Sequence, residues 1–238
     1  MSAFIYGVVL QWKLDFRNRG VLLTYYVIPL LFFLFIGAIF TSVNPDSKAT
    51  LVQTMTIFGV STGAFLGTPI PLVELYGSDI IKAYKVGGIP LWMAAVNNFL
   101  SAFAHLLVMS TIILLAAPVI YKAKVPGNIG VYFLSLAIFI CVCLSVGTFL
   151  GLYVKSVSKL TMFSQLIYLP SLMLSGIMVN ADLLPGVLQT AGKFFPNTWG
   201  LKTMTTSHMD LMSYLPLIIF FTVASMANAY KLSRVGRE

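Results

Sequence analysis

Six stretches of this sequence, roughly 21–41, 51–73, 93–120, 129–153, 161–180 and 211–230, are nearly uninterrupted runs of apolar residues. Each is close to the roughly 20 residues that an α-helix needs to cross about 30 Å of hydrocarbon, so the runs predict six transmembrane helices. The fourth and sixth end in Tyr153 and Tyr230, ring types suited to the membrane interface. Residues 3–16 carry a different pattern. Phe4, Ile5, Val8, Val9, Trp12 and Phe16 recur at helical spacing, while Lys13, Asp15 and Arg17 gather at the far end. That arrangement predicts a helix lying in the interface over residues 1–20. The segment 181–210 is too long for a turn and too interrupted to span, with Asp182, Pro185, Gly186, Gly192, Pro196 and Asn197 among its apolar residues. It is expected to form a short re-entrant or surface helix on the outer face. The fold class is therefore all-α integral membrane: six transmembrane helices, an N-terminal interfacial helix and a short re-entrant extracellular segment before the last span. One transmembrane domain over residues 1–238 is expected, without a low-complexity tract or internal repeat.

Composition agrees with that pattern. Hydrophobic residues make up 58% of the 238 and charged residues only 9%, against about a quarter charged in a soluble domain, so the bilayer must act as solvent. The net charge of +8 does not point to nucleic acid, because the 15 Lys and Arg are scattered at the ends of apolar runs rather than set in a basic stripe. They read as topology signals. The N-terminal segment, the 74–90 loop, the 154–160 loop and the C-terminal tail hold ten of them; Lys48, Lys122, Lys124, Lys193 and Lys202 lie on the other side. The positive-inside rule then places both termini in the cytoplasm. Cys141 and Cys143 lie two apart in an apolar run and point to different helix faces, which fits neither a disulfide nor a metal pair. The first long apolar run begins near Val21 with the length of a full span, and is expected to remain in the mature protein.

Candidate functional residues fall into three groups. Gly59, Gly63 and Gly67 form two overlapping GxxxG steps in the second run, and Gly147 and Gly151 a further step in the fourth. Small residues there let helices approach closely, either inside one bundle or at a subunit interface or sliding face. In the third run Asn97, Ser101 and His105 stand at i, i+4 and i+8, with Asn98 beside them. Unpaired polar groups are costly in hydrocarbon, so this stripe should face protein or a water-filled path. His105 reads either as a packing residue or as part of a substrate path, and no carboxylate within the spans is available to pair with it. Gln165 and Ser175 in the fifth run are similar candidates, and Pro170 should kink that helix. The third group is the loop from Glu74 through Tyr76, Gly77, Asp79, Ile80, Ile81, Lys82 and Tyr84 to Lys85, short and helix-compatible. It reads as a solvated connector, or as a docking helix whose Ile80, Ile81 and Tyr84 fill a partner's groove inside a charged rim of Glu74, Asp79, Lys82 and Lys85.

Enzyme signals are thin. There is no HExxH and no Cys/His cluster, and the stretch from Gly186 to Lys193 lacks the GxxxxGK[ST] of a phosphate loop. No catalytic site, metal or cofactor is expected in this chain.

The order of these features resembles the membrane subunits of type-two ABC exporters. The resemblance covers nearly the whole chain. It rests on the interface helix, the six spans, Glu74 and Gly77 opening the loop after the second span, and Leu172-Met173-Leu174-Ser175-Gly176-Ile177 followed by Pro185 and Pro196-Asn197. The sequence departs from the family where Val73 replaces a basic residue and where Val86-Gly87-Gly88 loosens the spacing to Pro90. The resemblance implies a permease that exports a drug, lipid, polysaccharide or antimicrobial peptide from a bacterial cytoplasmic membrane. It makes residues 74–85 a coupling helix seated on a separate cytoplasmic ATPase, present in two copies and binding ATP and Mg. It also implies a second permease subunit, as homo- or heterodimer, and short re-entrant helices near the exit over 183–206. The competing classes are a self-sufficient channel or ion-driven carrier, which usually needs an intramembrane charge absent from the six runs, and a non-transporting scaffold or immunity protein, which leaves the loop unexplained.

Overall fold

In hydrocarbon a peptide group has no partner but the chain itself, and the described residues form helices and short turns without a strand. The structure, a computed structural model, describes residues 3–206 and 210–235. Its helices are α1 (Ala3–Arg17), α2 (Arg19–Val43), α3 (Leu51–Tyr76), the short α4 (Ile80–Val86), α5 (Trp92–Tyr121), α6 (Ile129–Tyr153), α7 (Val157–Leu174), α8 (Gly186–Gly192), α9 (Pro196–Thr205) and α10 (Leu211–Val235). Five of these, α2, α3, α5, α6 and α10, are long and apolar enough to cross a membrane.

Asparagine and serine side chains start several of them by accepting hydrogen bonds from otherwise orphaned N–H groups. Asn18 Oδ1 accepts from Gly20 at 2.9 Å, Asn128 Oδ1 from Val131 at 3.1 Å and Ser156 Oγ from Lys159 at 3.4 Å. The fifth predicted span differs from expectation. Capped by Ser156, α7 begins before residue 161, and it stops at Leu174 because Gly176 takes the left-handed conformation, φ 86°, that closes a helix. It is 18 residues long and diluted by Lys159, Gln165 and Pro170, so it does not join the five.

Helix α3 forms the centre. Every residue from Leu51 to Thr62 is buried, with α2, α5, α6, α7 and α9 packed around it. Hydroxyl pairs tie α3 to its neighbours: Tyr25 of α2 to Thr68 at 3.0 Å, Tyr132 of α6 to Thr56 at 2.9 Å, and Tyr168 of α7 to Thr62 at 2.8 Å. Apolar contact alone does not drive helices together in lipid, and interhelical hydrogen bonds of about 0.6 to about 2 kcal/mol each supply part of what does.

The glycine steps supply close approach. A side chain on Gly59 would meet Met109 of α5 at 2.6 Å, and one on Gly67 would meet Tyr25 of α2 at 2.7 Å. One on Gly63 would run into Leu106 and Tyr25, one on Gly147 into the Ala64 carbonyl, and one on Gly151 would stand 2.9 Å from the Pro69 carbonyl. All five glycines therefore bring helices of this same chain together.

Both α2 and α3 contain a widened, π-type turn, at Leu23–Val27 and Gly63–Gly67. Each ends two residues before a proline, Pro29 and Pro69, whose ring cannot accommodate a regular preceding turn. The two wide turns lie side by side, joined by the Tyr25–Thr68 hydrogen bond.

Residues 181–206 fold back onto the bundle. α8 rests on α7, while α9 inserts among α3, α6, α7 and α10. Fully buried Asn197 at the start of α9 accepts a hydrogen bond from Ser61 Oγ at 2.9 Å, well inside α3.

Candidate functional site

Helix α3 ends at Gly77, whose N–H bonds to the Val73 carbonyl at 2.9 Å; a side chain there would bring its Cβ to 2.8 Å from that oxygen. Only glycine lets the chain turn so tightly beneath the helix. Ser78 Oγ then accepts from the Ile80 N–H, and α4 begins. This short helix packs on the end of α3 and little else. Ile80 is 53% and Val86 91% exposed. Glu74, Asp79 and Lys82 are also exposed, with Asp79 and Lys82 paired at 2.7 Å, and Tyr84 is half-buried. The side chains of Ile81 and Lys85 lie outside the described residues. At its far end the loop is fastened back: Tyr76 Oη donates to the Leu91 carbonyl at 2.7 Å. The result is an apolar and charged protrusion held at both ends.

The polar stripe of α5 faces protein. Asn97, Asn98, Ser101 and His105 are all buried, and three of them face α1. Asn97 lies against Gly7 so closely that a Cβ there would stand 2.6 Å from Nδ2. Asn98 turns instead to α3 and donates to the Thr68 carbonyl at 3.3 Å.

Ser101 and His105 meet a carboxylate. Asp15, 3% exposed, accepts from Ser101 Oγ at 2.5 Å and from Gln11 Nε2 at 2.8 Å, and its Oδ2 stands 3.9 Å from His105 Nε2. The other imidazole nitrogen, Nδ1, is hydrogen-bonded to the Tyr26 hydroxyl at 2.8 Å. Trp12 stacks on the imidazole at a centroid distance of 4.1 Å, and Phe16 meets its edge at 4.9 Å. This corrects the expectation that no carboxylate is available to His105: the apolar runs carry none, but α1 brings one to 3.9 Å. Burial pushes the Asp15 carboxyl above its ordinary value, against the lowering effect of its two hydrogen bonds. In the sequence Val8, Trp12 and Asp15 fall at i, i+4 and i+7 on one helical face, but that spacing does not say which helix covers the face.

A cavity of about 680 Å³ opens at the opposite end of the molecule from α4. Phe40 and Asp46 line one side, Thr54 the floor, and Ile177, Leu201 and Thr205 the other side. Ser175 is buried next to it and donates to the Leu172 carbonyl at 3.2 Å. Gln165 is half-buried farther along α7 and does not line it. Among the described residues no group of three or more His, Cys, Asp or Glu could hold a metal ion.

Comparison with known proteins agrees with this architecture. The sequence model of one family, described as ABC-2 type transporter, matches residues 3–209. No curated protein matches the chain.

Proposed function

Since the chain belongs to the ABC-2 type transporter family, we propose that it is the permease subunit of an ATP-driven exporter for a hydrophobic or amphipathic cargo, a drug, lipid, antimicrobial peptide or polysaccharide. Membership makes it the membrane component of an ABC transporter. The family also implies association with an ABC ATPase, and hydrolysis of ATP with Mg falls to that separate subunit. In our reading one permease pairs with a second copy or close relative and with two ATPases. Residues 74–90 and both termini then lie in the cytoplasm of a bacterial cell. α7 completes a set of six spans, and 181–210 forms a re-entrant segment at the outer exit.

The observation that carries the coupling role is the build of residues 74–91. Exposed Ile80 and Val86 on a charged, helical protrusion suit a partner's groove, and Gly77 and the Tyr76–Leu91 hydrogen bond fix that protrusion to the ends of α3 and α5. A movement of the ATPases would tilt those two spans and open a path at the permease interface. The outer cavity beside Gly176 and Ile177 would receive the cargo on its way out.

The test is to tag the chain, extract it gently from its host membranes and identify what copurifies. A stoichiometric P-loop ATPase should be retained by the natural sequence and shed by Ile80→Glu. Replacing Glu74 or Gly77 should separate transport from hydrolysis while insertion is unchanged. Transport that survives substitutions throughout 74–85 would overturn the coupling role, and a complex of this chain alone conducting ions without ATP would replace the exporter by a channel.

A further inference from the structure

Three helices end at the 680 Å³ cavity opposite α4. Val43 and Asn44 at the end of α2, Gly176 just beyond α7 and Thr205 at the end of α9 all line it. The last carbonyls of a helix have no intrahelical partner, and each such end carries about half a negative charge. One long helix begins there instead, α3, whose Thr50 and Thr54 form the floor. Asp46 adds a full charge of the same sign as the three ends. It lines the cavity, and its carboxylate makes no hydrogen bond or ion pair with any described residue. Among the described residues no Lys or Arg lines the cavity. Lys48 is half-buried outside it, and Lys202, next to Leu201, is drawn over the Trp199 ring at 5.5 Å.

Below this negative rim the walls are apolar: Phe40 from α2, Ile177 and Met178 past α7, and Leu201 from α9. A space of this volume suits a drug-sized molecule rather than a polymer chain. A cavity lined by one sign of charge concentrates ions of the other sign and repels its own. We infer that this cavity binds a lipophilic organic cation, with the apolar body against Phe40, Ile177 and Leu201 and the charge beside Asp46 and the three helix ends. The inference deepens the exporter reading, on which it rests for calling the cation a cargo, and it narrows that cargo to a positively charged, drug-sized molecule. Binding itself needs no ATPase.

The full chain in phosphatidylcholine nanodiscs would be dialysed to equilibrium against tetraphenylphosphonium and, separately, against tetraphenylborate, an ion of the same shape and opposite charge. Empty nanodiscs give the uptake due to lipid alone. Saturable binding of the cation and none of the anion is expected. Asp46→Asn, at an exposed position, should weaken cation binding about threefold to fivefold, as removal of one partly solvated charge does. Asp46→Lys should abolish the preference for the cation, which a merely structural role of Asp46 would not do. Thr205→Trp, which fills the cavity from an exposed position, should remove saturable binding; if that variant fails to fold, the two Asp46 variants decide. Absence of saturable cation binding, equal binding of the two ions, or cation binding unchanged in both Asp46 variants would overturn the inference. Copurification of an ATPase with the same chain tests the exporter reading separately, so the failure of one is distinguishable from the failure of the other.

Discussion

Asp15 illustrates how one residue ties α1 to the bundle of long helices. Its carboxyl is buried against Ser101, Gln11 and His105, with Trp12 and Phe16 closing over the imidazole, while Lys13 and Arg17 on the same helix stay exposed. Because burial raises its proton affinity, the folded protein holds a proton on Asp15 more tightly than the unfolded chain does. The contribution to stability is therefore complete below the ordinary carboxylate value near 3.8 and is lost as pH rises through the raised value. The attachment of α1 should strengthen in mild acid. Asp15→Asn, which keeps the hydrogen-bonding shape without the charge, should hold α1 in place at neutral pH and flatten this dependence. Spin-label distances between α1 and α5, followed from about pH 4 to about pH 8, would check it, and an unchanged pH slope in the variant would refute the assignment.

At the scale of elements, contacts between helices rest on missing side chains. α6 crosses α3 where Gly147 lies against the Ala64 carbonyl and Gly151 against Pro69 and Leu72. Backbone cannot retreat as a flexible side chain can, so Gly147→Leu should cost at least about 1–3 kcal/mol and lower the thermal midpoint in detergent. Gly186→Leu, at a position with open space around it, should leave that midpoint unchanged. Such elements were only partly legible in the sequence. Apolar length announced α2, α3, α5, α6 and α10, and the order of features pointed to the family that the comparison then confirmed. The end of α7 was not legible, since a run of apolar residues continues to Val179 while the backbone conformation of Gly176 decides where the helix stops. The polar stripe of α5 was visible, but its partner was not. Periodicity reports which residues share a face without reporting which helix covers it, and the charge of Asp15 suggested solvent.

For the molecule as a whole, the arrangement separates two ends with different construction. One end carries the protruding α4 and the buried Asp15 cluster; the other carries the 680 Å³ cavity walled by the ends of α2, α7 and α9. Helix α3, buried throughout Leu51–Thr62, runs between them, linked by hydroxyl pairs to α2, α6 and α7. On the exporter reading, Tyr76→Phe should leave ATPase attachment intact, because the outward face of α4 is untouched. Transport achieved per ATP hydrolysed should nevertheless fall, as measured in reconstituted vesicles; an unchanged ratio would count against transmission through this residue. The reason is mechanical. A loop with Gly87 and Gly88 near its end would ordinarily act as a slack tether, absorbing any displacement applied to it. The Tyr76 hydroxyl on the Leu91 carbonyl bypasses that slack and makes the loop a closed truss, so work done on α4 becomes leverage on the third and fifth helices together.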